Sequence, residues 1–370
     1  MSDEIRHRRV RAQLLHRPSV GGVVEVVRRL LAMQAQDIAA FPLALRARTA
    51  RLTAADVAAA RDTREIVRCW GPRGTLHLIA AEDLTWLFPL VRPAPAGSLR
   101  RLRGLGIEID PDDAVRLVTA ALADQGPLGK AALGERLAKA GRPAEGQAIV
   151  HLAMLAAREG LVVLGPDREG KATYVHAADW LGRPLPVAVT DRDAALRELA
   201  ERYRLAHDPA GPADLAAWSG LPLGDAERAW RGTTWPGPAE AGSGLAGSGL
   251  AGSGHTGSEY AAAGSERKQA GWVRLVPGYD EYLLGWRTRE LSVPVSYRTR
   301  IHPGGGIIRP TLLVDGQAAG TWRTRRSARR IDITIEPFEP LPAAVVNQVR
   351  AEVADIGRFL GLPAEPIMTS

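Results

Sequence analysis

Glu65-Ile66-Val67-Arg68-Cys69-Trp70-Gly71-Pro72-Arg73-Gly74-Thr75-Leu76-His77-Leu78-Ile79 reads as two β-prone runs, Glu65–Trp70 and Thr75–Ile79, around a turn at 71–74. That is a hairpin signal. Upstream, apolar positions Val24, Val27 and Leu31, with Val23 and Leu30, predict an amphipathic helix over Val20–Gln34. Thr53, with Asp56 at the third helical position, predicts a capped second helix. Helix, helix, hairpin is the order of a winged helix. A second block repeats it: helices over Asp112–Asp124, Lys130–Ala140 and Gln147–Glu159, then strands Leu161–Leu164 and Ala172–His176. A third supplies helices over Asp193–Arg204, 212–220 and Asp225–Arg231. Gly242–Gly257 repeats Leu-Ala-Gly-Ser-Gly and is expected to be a flexible insertion. Beyond it, Trp272–Leu275, Gly306–Val314 and Ile331–Ile335 read as strands, and Pro342–Leu360 as a closing helix.

The expected architecture is therefore α+β and mainly helical. It comprises a winged helix at 1–105, a second at 106–187, the helical part of a third at 188–236, the insertion at 237–271 and a β-rich portion at 272–370. Its 370 residues allow two or three compact units, and 45% hydrophobic with 24% charged residues excludes long disorder and fibrous folds. The lone cysteine, Cys69, excludes a disulfide scaffold and suits a reducing cytoplasm, and no apolar run reaches the length of a membrane span.

Net charge is +7, yet 44 of the 48 basic residues are arginines. Such a ratio suits a GC-rich coding sequence, so the total says little about partners. Position says more: Arg6, Arg8, Arg9 and Arg11 cluster at the start, and Arg323, Arg325, Arg326, Arg329 and Arg330 near the end. Arginine suits bidentate phosphate contact, so these clusters and Arg73 in the hairpin turn are candidates for the backbone of nucleic acid; a solvated basic face is the plain alternative.

Gln34 continues the helix's apolar stripe and puts an amide where the core face should be. It is either a core glutamine bonded to backbone or one facing a cleft. Gln36 points away on a continuing helix, but converges with Gln34 if the helix frays there. Gln34-Ala35-Gln36 resembles the Gln-hydrophobic-Gln motif of the AlkZ-like DNA glycosylases, helix-turn-helix proteins of three tandem winged helices in a C-shaped assembly. Three further stretches resemble that family in order: Trp70–His77, Pro277–Gly285 and Gly305–Gly316. The related YcaQ-type branch carries Asp where this chain has Gln36.

The resemblance implies a monofunctional DNA glycosylase that excises alkylated purines and unhooks interstrand crosslinks made by genotoxic natural products. Gln34 and Gln36 are its catalytic residues, and Asp37 a possible base or electrostatic stabiliser unless it merely caps backbone. A purine alkylated at N7 is cationic and already a good leaving group, so positioning water is enough and a strong base is unnecessary. Arg73, His77, Arg323, Arg325 and Arg326 are the expected DNA contacts, with His77 equally readable as structural. Tyr279, Asp280 and Tyr282 can line the cleft, although Asp280 equally suits a turn. Trp70, Trp286 and Trp322 read as core or inter-domain packing, with base-stacking platforms the alternative. No metal or other cofactor is expected, since the eight histidines are scattered, and few lysines speak against a lyase step. The expected partner is double-stranded DNA carrying alkylated purines or crosslinks, bound by a cytoplasmic monomer. The alternative is a non-catalytic winged-helix transcriptional regulator, which would want a dimer and base-reading side chains on its recognition helix, Gln147–Glu159. A protein-interaction scaffold is the third reading.

Overall fold

A computed structural model describes residues 2–16, 21–233 and 272–369, an α+β chain with two sheets. The expected insertion at 237–271 lies outside the described residues. The first sheet contains β1 (Ala32–Gln34), β2 (Ile66–Trp70), β3 (Leu76–Ala80), β4 (Leu128–Gly129), β5 (Val162–Leu164) and β6 (Thr173–His176), in the order β1-β3-β2-β5-β6-β4. Both expected hairpins form, β2 with β3 and β5 with β6, and they join edge to edge where Arg68 pairs with Leu164. Exposed edges invite pairing, and each hairpin here covers the other's.

The second sheet contains β7 (Val273–Val276), β8 (Thr311–Val314), β9 (Gln317–Arg326), β10 (Ile331–Pro337) and β11 (Ala364–Met368), in the order β11-β10-β9-β8-β7. Only the β10–β11 pair in it is parallel. The closing helix, Ala343–Leu360, packs Val345, Val349, Val353, Ile356 and Phe359 into the same cluster as Val26, Val27 and Leu30 of the first block. Segments about 300 residues apart thus share one core.

The first helix departs from expectation. It spans Val23–Leu30 and stops at Leu31, whose φ of 68° takes the chain out of helix and into β1. Leu31, Ala32 and Met33 are all buried, and a short run apolar on every side fits a buried strand as well as a helix face. Gln34 therefore ends a strand, half-buried, instead of lying on a helix's core face.

The second helix, Ala54–Asp62, starts as expected: Thr53 Oγ1 accepts from Asp56 N at 3.3 Å, and Asp56 Oδ2 accepts from Thr53 N at 2.7 Å. Pro111–Leu122, Lys130–Lys139, Gln147–Arg158, Arg192–His207, Pro212–Ser219 and Leu223–Arg231 match the expected helices within a few residues. Helices Ser2–Ala12, Ala40–Arg46, Leu84–Val91 and Pro95–Gly104 were not anticipated, nor were β9 and β11. Among the described residues no helix is long and apolar enough to cross a membrane.

Candidate active site

β1 places Gln34 opposite His77 of β3, and Ala35 N continues the ladder by donating to Leu76 O at 2.7 Å. Gln36 is exposed, and its Oε1 accepts from Leu76 N at 3.2 Å. Gln34 Oε1 accepts from Arg73 Nη2 at 3.5 Å. In both cases the protein partner is a pure donor, which turns the carbonyl end of the amide toward the protein, and among the described residues neither NH2 group has a hydrogen-bond partner. Each carbonyl oxygen keeps a second lone pair. The turn toward a strand brings both amide oxygens to the 73–76 segment.

Asp37 lies in the turn before the helix Ala40–Arg46: its Oδ1 accepts from Ala39 N at 2.8 Å and its main-chain oxygen from Phe41 N at 3.2 Å. Backbone capping is what its carboxylate does here.

Beneath the motif lies a buried cluster that sequence reading missed. Arg68 of β2 donates from Nε to Ala35 O at 2.8 Å and from Nη2 to Gln36 O at 3.4 Å. Asp167, in the turn of the second hairpin, accepts from Arg68 Nη1 at 3.2 Å and also pairs with Arg61. Arg61 in turn donates to Gly165 O at 2.6 Å. Burial pulls the Arg68 guanidinium down to about 10, opposed by Asp167, so it stays charged at neutral pH. A charged residue sharing a strand face with Ile66 and Trp70 was the available signal, because a buried charge demands a partner.

Several expected DNA contacts need correction. His77 is fully buried, and burial followed by the nearby Arg73 charge lowers it to about 3. Its Nδ1 donates to Thr75 O at 2.9 Å, and a ring with no exposed surface cannot reach a phosphate. Arg73 stays exposed, but its Nη1 donates to Trp218 O while Nη2 meets Gln34. Three of the four N-terminal arginines are engaged in packing. Arg6 donates to Asp315 O at 2.9 Å, Arg8 pairs with Asp208 through two 2.9 Å bonds, and Arg9 lies over the Trp286 ring at 4.5 Å.

Tyr282 and Asp280 do not line a cleft either. Tyr282 is buried with its hydroxyl donating to Gly316 O at 2.7 Å, and Asp280 holds the buried Arg48 through bonds of 2.7 and 2.8 Å while accepting from Tyr282 N at 2.9 Å. Tyr279 is half-buried. Trp70, Trp286 and Trp322 are buried packing residues, as expected.

Arg323, Arg325 and Arg326 are exposed along the outer half of β9, where it pairs with β10. Arg323 is paired with Glu336 of β10. Ser327 closes the loop between the strands: its N donates to Arg330 O at 2.9 Å and its Oγ accepts from Arg330 N at 3.1 Å. A groove of about 690 Å³ lined by Trp86, Leu185 and Glu198 includes none of these residues. The glutamines stand at an open surface, not inside that groove. Burial pushes the Cys69 thiol up to about 12, which makes it inert.

The scaffold of helices and hairpins belongs to a known class. The family model described as DNA glycosylase AlkZ-like matches residues 27–359, so the chain belongs to the AlkZ-like DNA glycosylase family. A relative, the interstrand DNA cross-link repair glycosylase of Streptomyces sahachiroi, is 24% identical over 387 residues, covering 97% of this chain and 96% of that one. The solved structure of Streptomyces sahachiroi DNA glycosylase AlkZ aligns with a TM-score of 0.70 at 23% identity, covering 99% of each chain.

Proposed function

We propose that the protein hydrolyses the N-glycosidic bond of cationic N7-alkylated purines in double-stranded DNA and unhooks interstrand crosslinks built on such adducts. The observation that carries this reading is the pair of amides, each anchored by its carbonyl oxygen to a protein donor in the 73–76 segment. With one lone pair taken, the second on Gln36 Oε1 can accept from a water, and the free NH2 groups can donate to the lesion or the sugar. The alkylated base leaves through an oxocarbenium-like state, so orienting that water is the main contribution required. An amide cannot take the proton, which selects cationic lesions over neutral ones. The open position of Gln36 suits adducts too bulky to be extruded into a closed pocket.

In this reading the helix-and-hairpin blocks at 1–105 and 106–187, with the helical part of a third at 188–236, act as tandem winged helices of a monomer. Arg325 and Arg326, with Arg323 less available, bind the phosphate backbone. The regulator reading is disfavoured by its own recognition helix, because Gln147–Arg158 buries Ala148, Ile149, Leu152, Ala153, Leu155, Ala156 and Ala157. The relative's name supports crosslinks as substrate.

The test incubates the protein with an N7-methylguanine duplex and with a crosslinked duplex, then cleaves abasic sites with alkali. Strand scission should vanish in Gln36→Ala and survive in Asp37→Asn, whose carboxylate only caps backbone. Full activity in the Gln34→Ala, Gln36→Ala double variant would remove both residues from the chemistry.

A further inference from the structure

We propose that Arg73 is a positioning residue: locked against Trp218, it holds the Gln34 amide by its oxygen and so sets which end of that amide faces the lesion. This deepens the glycosylase reading and rests on it. Arg73 sits in the β2–β3 turn with φ of 57°, a left-handed conformation uncommon for a side-chain-bearing residue, and Gly74 follows with φ of 71°. That backbone aims the side chain back over the sheet. One arm of the guanidinium donates to Trp218 O and the other reaches Gln34 Oε1 at 3.5 Å.

Trp218 is a rigid support. It is fully buried, packs on Tyr203 at 5.4 Å and donates from Nε1 to Glu281 Oε1 at 2.6 Å. Its helix ends at Gly220, where a Cβ would come within 3.4 Å of Arg73 N, so helix end and hairpin turn are in close approach. Glu281 is 1% exposed, and its Oε2 has no hydrogen-bond partner among the described residues. Burial raises its carboxyl while Arg73 pulls it back, so the two groups feel each other's charge. Glu281, Trp218, Arg73 and Gln34 thus form a chain running from the core to the surface. A guanidinium spent in this way supplies orientation; a phosphate contact would supply affinity.

The two roles separate in a single-turnover assay on the N7-methylguanine duplex. Arg73→Ala should slow base release about 10-fold or more, with duplex Kd and its salt dependence unchanged. Arg73→Lys should not restore the rate, because an ammonium has no second planar arm to span Trp218 and Gln34. Glu281→Gln keeps an acceptor for Trp218 and replaces the unpartnered oxygen with an NH2 group, so a smaller loss in the same direction is expected. In a Gln34→Ala background, Arg73→Ala should cost nothing further; additive losses would overturn the relay. Weaker binding and a salt slope reduced by about 1, with the bound-state rate intact, would make Arg73 a phosphate contact instead. A second readout does not depend on activity: the Gln34 side-chain amide resonance should shift in Arg73→Ala, and an unmoved resonance sinks the relay. A wild-type protein that releases no base sinks the glycosylase reading and leaves that resonance to decide on Arg73.

Discussion

Arginine does opposite work in the two sheets. In the middle of β2 it is buried: Arg68 is 2% exposed and spends its donors on Asp167 and on the carbonyls of Ala35 and Gln36. On the outer half of β9, residues 323–326 all stand in solvent. A buried guanidinium is costly unless each donor finds an acceptor, so it behaves as a fixed bracket for main chain. An exposed one keeps its charge for whatever anion approaches. The difference teaches that a net charge of +7 describes neither sheet, because position decides whether an arginine is spent inside the protein or left facing solvent.

The sharpest break of the comparison removes a partner from a buried arginine. Arg48 and Asp280 both have fully buried side chains and are joined by two hydrogen bonds. Asp280→Ala strands the charge of Arg48 and should cost about 3–5 kcal/mol, read as a lowered urea midpoint with an unchanged slope. A loss within about 0.5 kcal/mol, the range of ordinary surface changes, would show that the bracket contributes little to stability. The same residue illustrates what sequence can carry. Asp280 was legible as a turn residue, which it is through Tyr282 N, but not as the partner of a residue 232 positions away.

Legibility follows range throughout. Both hairpins, the Thr53–Asp56 cap and the closing helix are local patterns, and all appear where the residues indicate. The union of the hairpins in one sheet, and the core shared by residues 23–80 with the C-terminal sheet, depend on contacts that no local window contains. At the candidate site, the motif singled out Gln34 and Gln36 as candidates, while periodicity misjudged the element carrying them. Leu31-Ala32-Met33 supports helix and buried strand alike until tertiary packing decides. Arg68, Trp218 and Glu281 were in plain view within quoted or apolar stretches, yet their roles arise only from partners in other blocks.

A middle-sized effect concerns two buried imidazoles. Burial lowers His77 and His207 each to about 3, against roughly 6.5 in an unfolded chain. Between those values the unfolded state takes up protons that the native state refuses, so stability should fall as pH drops below about 6.5 and be flat above it for these groups. Urea midpoints between pH 7.5 and 5 measure the slope, which should be shallower in His77→Gln. An equal slope in that variant would assign the acid sensitivity to other groups.

The smallest effect on folding should be the largest on salt dependence, and it sharpens the contrast from the exposed side. Arg325 and Arg326 are solvent-exposed, whereas neighbouring Arg323 is already paired with Glu336. Arg325→Ala with Arg326→Ala should therefore leave the urea midpoint within about 0.5 kcal/mol of wild type. If both side chains neutralise phosphates, the slope of log affinity for duplex DNA against log salt should become shallower by about 2, one released counterion being lost with each contact. The loss should be alike for damaged and undamaged duplexes, since a phosphate carries no information about the base. Adding Arg323→Ala should change the slope by less than either of the others, because its charge is already answered by a carboxylate. A full further unit from Arg323 would mean that DNA displaces Glu336 on binding, and an unchanged slope in the double variant would take this edge of β9 out of the DNA interface.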